Sequence, residues 1–312
     1  MHEGSKRAIF AAFLANLGIA IAKFVGFLVT GASSMLAESI HSVADTANQG
    51  LLFFGARQAA RAPTPEHPFG YGRDRYFWSF VVALVLFTVG GLFAIYEGIE
   101  KMRHPHEIDS PAVAFGILGV ALVLEMFSLR TAVREARPER GRHSWVSYIR
   151  RSKSPELPVV LLEDLGALLG LAFALTGLTL TVVTDEPRFD GAGTLAIGIL
   201  LVTIAVILVV EMKSLLIGES ASGEQQARIL AEIEGTPHVR RVIHMRTLHL
   251  GPDELLVVAK VEFASSLSTR EVADTINAVE DRVRGAVPIA RVIYLEPDLF
   301  SEAGDPEPTP ID

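Results

Sequence analysis

Long apolar runs, set apart by short polar segments, dominate the first two thirds of the chain. Six of them recur, at roughly 8–29, 34–55, 78–99, 111–130, 158–180 and 192–213, each close to the about 20 residues that an α-helix needs to cross a hydrocarbon core. The pattern predicts six transmembrane helices with both chain ends on one side. After Lys213 the periodicity changes. The stretch "GESASGEQQARILAEIEG" sets Ala227, Ile229, Leu230 and Ile233 at helical spacing behind a Ser and Gly entry, and Gly235 and Pro237 stop it. "HVRRVIHMRTLHL" and "DELLVVAKVEF" read as two strands joined by Gly251, Pro252 and Asp253. A second helix, from Ser268 to about Gly285, carries Val272, Ile276, Val279 and Val283 along one face, and "ARVIYLEP" closes as a third strand. The order αββαβ predicts a small α/β domain with its helices on one face of a sheet. The division expected is therefore 1–213 for the membrane part, 214–297 for the α/β domain and 298–312 for an acidic, proline-rich tail, "SEAGDPEPTPID", that lacks the apolar residues needed to fold.

Composition supports the membrane reading. Half of the 312 residues are hydrophobic and the mean hydropathy is +0.37, more apolar than a soluble protein of this size. The net charge of −8 says less than its distribution, and no nucleic-acid partner is expected. Lys6, Arg7, Arg57, Arg61, Arg73, Arg75, Arg134, Arg137, Arg140, Arg142, Arg150, Arg151, Lys153 and Lys213 all fall at one alternate set of span ends, which the positive-inside rule assigns to the cytoplasm. The α/β domain and both termini are expected on that side. Membrane lipids surround the rest, and the first span reads as retained because no cleavage pattern follows it. Cysteine is absent, which excludes disulfides and thiolate metal sites.

Against this background "AESIHSVADTANQ", residues 37–49, is anomalous. Glu38, His41 and Asp45 are spaced by three and four, so a helix stacks them on one face. An ionised group at the centre of a membrane helix costs at least about 2.5–3.5 kcal/mol and ordinarily faces water or a partner. For His41 and Asp45, deep in the span, a cation or proton site is expected. Glu38, near the outer end, reads equally as an interfacial residue or as part of a polar seam between helices. A second acidic feature, Glu163 and Asp164, interrupts the fifth span. Helical neighbours point about 100° apart, so one is expected to line a site while the other caps, binds a proton or meets another helix. Lys23 and Asn16 on the first span and Glu125 on the fourth are auxiliary candidates, with pairing of Glu125 to Lys23 or Arg130 as the plainer alternative. No His-Glu-x-x-His run is present, so a metalloprotease, and an enzyme generally, is not expected.

Two motifs, "TGASSMLAESIHSVADTANQ" and "EHPFGYGRDRYFW", resemble those of the cation diffusion facilitator family of divalent-metal transporters. "YIRRSKSPELPVVLLEDLGALLG" is similar to the branch that contains the mitochondrial zinc exporter and its bacterial relatives. The resemblance implies a homodimer of six-span subunits with ferredoxin-like cytoplasmic domains, set in a bacterial inner membrane. It implies export of a divalent cation, zinc foremost, in exchange for protons. A metal needs a neutral imidazole and ionised carboxylates, so metal and protons would compete for the same donors.

The family holds its metal with two residues of the second span and two of the fifth. With Gly170 set on the family's glycine, the resemblance assigns His41, Asp45 and Asp164 as ligands, which are also the proton-coupling groups. Val160 stands where a fourth would be, leaving Glu163, Glu38 or water to complete the set. Imidazole nitrogen and carboxylate oxygen both suit zinc, while an oxygen-rich set favours Mn²⁺ or Fe²⁺. A Mn- or Fe-preferring transporter and a membrane metal sensor or scaffold that binds without transporting are the alternatives. No resident cofactor is expected; the metal is cargo. His67 occupies a loop position that holds a surface metal in some relatives, but Thr64 and Tyr71 fill the companion positions, so it reads as structural. Arg73 is expected to latch onto a carboxylate near Glu219. In the α/β domain, Lys260, Arg270 and Tyr294 replace the relatives' ligands, so His238, His244 and His249 read as solvated or interface residues in a dimerisation module.

Overall fold

The computed structural model describes residues 3–301, with side chains from Leu17 onward. It divides into two compact units, one containing the described residues up to Arg61 and 74–216, the other containing 62–73 and the described residues from Ile217 onward.

The first unit is helical: α1 (Glu3–Thr30), α2 (Ser33–Ala59), α3 (Asp74–Val85), α4 (Phe93–Arg103), α5 (Pro111–Arg140), α6 (Trp145–Arg151), α7 (Glu156–Thr184) and α8 (Arg188–Ile217). A π-helical segment, Leu86–Leu92, joins α3 to α4. The start signals are those the sequence offers: Pro111 opens α5, where a missing N–H costs nothing. Ser144 accepts from the Ser147 N–H at the start of α6. Small and branched residues fill the interior, with Ala37, Leu86, Ala94, Leu118, Ala174, Leu178, Ile197 and Leu208 all buried, while Leu28, Val120, Phe127, Val183 and Val210 stay exposed on the outside. An apolar exterior of this kind belongs in lipid.

Each of the six expected spans falls within a helical stretch, but only four of those stretches, Asp74–Arg103, Pro111–Arg140, Glu156–Thr184 and Arg188–Ile217, are long and apolar enough among the described residues to cross a membrane. Leu17–Thr30 is a shorter apolar helix. Helix α2 has the length, at 27 residues, and loses the apolar character to Ser33, Ser34, Glu38, Ser39, His41, Ser42, Asp45 and Asn48.

In the second unit, α9 (Gly223–Glu234), β1 (Val239–Gly251), β2 (Glu254–Phe263), α10 (Thr269–Ala286) and β3 (Val292–Pro297) follow the expected order. β1 pairs antiparallel with β2, with Met245 opposite Ala259. β2 pairs parallel with β3, with Val258 opposite Tyr294. The sheet order is β1-β2-β3, and the β2–α10–β3 connection is the crossover that a parallel pair requires. Both helices begin in a reciprocal capping box, Ser222 with Gln225 and Ser268 with Glu271. Their apolar stripes, Ile229, Ile233, Val279 and Val283, bury Leu255, Val257, Ala259 and Val261 of the central strand. The described part of the expected tail ends at Ser301, and the remaining tail residues lie outside the described residues.

Candidate functional site

Helix α2 buries a polar column. Glu38, Ser39, His41, Ser42, Thr46 and Asn48 are all buried, and the first of them is met from α1. The Lys23 ammonium lies 3.0 Å from Glu38 Oε2 and donates to Ser42 Oγ at 2.8 Å, with both charged side chains inaccessible to solvent. Lys23 therefore spends its charge on Glu38, and the pairing expected between Lys23 and Glu125 is not made. Glu38 is thus part of a buried polar contact between α1 and α2. Its second oxygen, Oε1, occupies space that opens because residue 170 is a glycine, where an added Cβ would stand 2.5 Å from it.

One cavity gathers most of the remaining candidates. Its walls are Ser42, Asp45 and Gln49 of α2, Glu125 and Ser128 of α5, Val160, Glu163 and Asp164 of α7, and Ile19 of α1. The adjacent acids of α7 are each met by a different helix. Asn48 Nδ2 of α2 donates to Glu163 Oε1 at 2.7 Å, and Ser128 Oγ of α5 donates to Asp164 Oδ2 at 3.1 Å. Both neighbours line the cavity while facing different partners. Val160 lies on its wall one turn before Asp164.

His41 is fully buried, with Nδ1 3.5 Å from Asp45 Oδ1. It does not line the cavity; its ring lies toward the π-helical segment, where an added Cβ at Gly90 would be 4.0 Å from Nδ1. Among the described residues no three His, Asp or Glu side chains stand together in metal-holding geometry. Asn16 has its side chain outside the described residues. What the site does hold is a concentration of unmet polarity: Glu38 Oε1, both ring nitrogens of His41, Asp45 Oδ1 and Asn48 Oδ1 are buried without a hydrogen-bond partner. Each such atom costs about 1–3 kcal/mol. The five atoms belong to four side chains on one helix, two acids, an imidazole and an amide, a donor set that a cation satisfies. The partners Asn48, Ser128 and Lys23 were not assigned from sequence. Lys23 was visible as a charge in an apolar run, but nothing local names a partner 15 residues away.

In the second unit the histidines are separate. His244 is exposed and its Nε2 accepts from Arg246 Nε at 2.8 Å. His249 is buried, which corrects its reading as a solvated or interface residue: it ends β1 with its ring Nδ1 3.3 Å from the Gly251 carbonyl, and its backbone N–H donates to Glu219 O. Its inward aspect follows from the strand register: His249 stands opposite Leu255, on the face of the sheet that buries Val257, Ala259 and Val261. His238 has a positive φ of 70° just before β1. Lys260 bonds Asp298 at 3.0 Å. His67 is exposed in a loop knit by the Thr64–Tyr71 hydroxyl contact at 3.1 Å, with its ring 4.7 Å from that of Tyr71. Arg73 lies beside Gly218, the neighbour of Glu219.

Comparison with known proteins covers nearly the whole chain. The family model described as the cation efflux transmembrane domain matches residues 9–217, and that of the cation efflux protein cytoplasmic domain matches 221–298. The mitochondrial proton-coupled zinc antiporter of Homo sapiens is 33% identical over 270 residues, covering 86% of this chain and 48% of its own length. Metal tolerance protein C4 of Arabidopsis thaliana is 28% identical over 263 residues, 84% of this chain and 58% of its own. The zinc transporter ZitB of Pectobacterium atrosepticum is 23% identical over 258 residues, 82% and 75% respectively. The chain spans about half the length of the mitochondrial antiporters it matches.

Proposed function

Because the chain belongs to the cation efflux family, we propose that it exports a divalent cation, zinc foremost, from the cytoplasm in exchange for protons. The observation that carries this reading is the run of buried, unpartnered acceptors on α2, from Glu38 Oε1 to Asn48 Oδ1, beside a cavity walled by Asp45, Glu125, Glu163 and Asp164. His41, Asp45 and Asp164 are the proposed ligands, with Glu163 the fourth and Glu38, Glu125 and Asn16 auxiliary. Since 3.5 Å separates His41 Nδ1 from Asp45 Oδ1, a small rotation of either side chain brings nitrogen and oxygen to one ion. The donors must be free of protons to hold it, so loading expels protons, and return of protons follows release.

The arrangement proposed is six spans in unit 1–213, with α1 and α2 as the first two, and the α9-β1-β2-α10-β3 unit, 214–297, as a ferredoxin-like cytoplasmic dimerisation domain. The match to a cytoplasmic-domain family model and the arginines at alternate span ends support it, with both termini inside. A bacterial inner membrane is the proposed location, a bacterial zinc transporter being among the relatives. A second reading, preference for Mn²⁺ or Fe²⁺, has one observation in its favour: the cavity wall carries four carboxylates and no imidazole. A metal sensor or scaffold is the outcome if ions bind and do not accumulate.

The test is metal-driven proton release and metal uptake in sealed proteoliposomes. His41→Ala, Asp45→Asn and Asp164→Asn are each expected to abolish both, and His249→Ala to leave them. Normal flux in Asp45→Asn removes the assignment.

A further inference from the structure

The strongest cluster of buried polar groups outside the cavity lies at the opposite end of α2. This helix has no cap of its own: the residue before it is Ala32, whose side chain makes no capping bond. A helix start leaves its first N–H groups short of intrahelical partners; here Met35 and Leu36 turn to the Ala32 carbonyl, while Ser33 and Ser34 are buried. The missing cap arrives from α8. Asp190, fully buried, accepts from the Ser33 N–H at 2.8 Å and from the Ser33 hydroxyl at 3.0 Å through Oδ2, and from the Ser34 hydroxyl at 2.5 Å through Oδ1. Its own carbonyl accepts from Thr194 Oγ1 at 2.9 Å.

A third helix closes on the same point. The end of α4 presses onto α8 so tightly that a Cβ at Gly191 would lie 3.0 Å from the Met102 N and 3.1 Å from the Gly98 carbonyl. Beside Met102 is Lys101, 1% exposed, whose ammonium has no hydrogen-bond partner and lies within electrostatic reach of Asp190. A carboxylate at a helix N-terminus with a lysine nearby completes a charge arrangement that the α2 dipole also favours. Midway along α2, by contrast, Asp45 and Gln49 are partly exposed.

We propose that Asp190, held by Ser33 and Ser34 with the Lys101 charge nearby, is a positioning residue that clasps the ends of α2 and α8, with the end of α4 packed on them, remote from the arginine-rich face, setting His41 and Asp45 in place and closing the exit path. The clasp must part for cargo to leave on that side. The inference rests on the transport reading for the meaning of closure, while the clasp itself is read without any transport.

Ala37 supplies the reporter. It is buried, and it stands one turn outward of His41 on the stripe 37, 41, 45. With no native cysteine in the chain, Ala37→Cys is the single thiol, and its reaction with a membrane-impermeant maleimide is followed in full-length protein in nanodiscs. The expected result is slow labelling in the Ala37→Cys protein and at least about tenfold faster labelling when Asp190→Ala is added, as an opened clasp admits water. Zinc binding to the purified protein, read by calorimetry, is expected to keep its stoichiometry. Asp190→Glu, which keeps the charge, is expected to return labelling most of the way to the slow rate. Should Asp190→Ala fail to fold, Ser33→Ala with Ser34→Ala removes both hydroxyl donors and leaves the carboxylate, with the same acceleration expected. Unchanged labelling in a monodisperse, zinc-binding variant overturns the clasp. If the parent protein binds no zinc, the transport reading falls while the labelling still decides the clasp.

Discussion

Lys23 Nζ and Glu38 Oε2 lie 3.0 Å apart with neither side chain reaching solvent. They tie α1 to α2 three residues before His41. Breaking a buried pair from one side strands the other charge and costs about 3–5 kcal/mol, whereas removing both is often close to neutral. Lys23→Met is therefore expected to lower the melting temperature of the purified protein sharply, and Lys23→Met with Glu38→Gln to restore most of it. Equal melting of the single and double variants would show that the pair carries no coupling.

Gly170 is expected to tolerate no side chain. A methyl group there would meet Glu38 Oε1 at 2.5 Å, and Lys23 holds that carboxylate against moving aside. Overpacking of this kind costs about 1–3 kcal/mol. Gly170→Ala should melt lower than the parent and move metal more slowly, and should cost far less in melting temperature in a chain already carrying Lys23→Met with Glu38→Ala, where neither the clash nor a stranded charge is present. A Gly170→Ala protein of parental melting temperature would mean that α7 yields at this point.

Val160 lines the cavity one turn before Asp164, so an imidazole there would add a nitrogen donor to a wall of carboxylates. Val160→His is expected to raise zinc uptake relative to Mn²⁺ in competition between the two ions. An unchanged ratio would mean that residue 160 does not reach the ion.

The capping box of α10 predicts a pH dependence outside the membrane part. The Glu271 carboxylate is held below its ordinary value by the bond from the Ser268 hydroxyl, then by that from the Ser268 N–H. A carboxylate depressed in the folded state binds fewer protons there than in the unfolded chain, so its contribution is complete above the unfolded value and fades as pH falls through the folded one. Amide protection factors in the first turn of α10, that is, exchange corrected for its intrinsic pH dependence, should fall on acidification below the ordinary glutamate range, and Glu271→Gln should remove that pH step. A step that survives the substitution would assign it to another group.

The parts legible from sequence are those that local periodicity encodes. The turn at Gly251, Pro252 and Asp253 separates β1 from β2 as read, and Val279 and Val283 face the sheet because a helical stripe has only one way to be buried. Longer-range pairs left no local trace. Ser33 and Asp190 are 157 residues apart, and Asn48 and Glu163 are 115 apart; each of these residues alone reads as an ordinary polar group near a span. Helix α2 illustrates the cost of reading by hydropathy: the polar column that makes it a candidate site is also what takes it out of the class of helices apolar enough to cross a membrane.

The π-helical segment Leu86–Leu92 changes how its span must be numbered. A π turn accommodates an additional residue in the coil, which advances everything after it by about 100° relative to an uninterrupted rod. Tyr76 and Ala94 therefore belong to two separate angular frames, and a helical wheel drawn straight through 74–103 would assign the later residues to the wrong side. Crosslinks engineered before and after the segment have to be planned as if on two cylinders joined by a quarter-turn wrench.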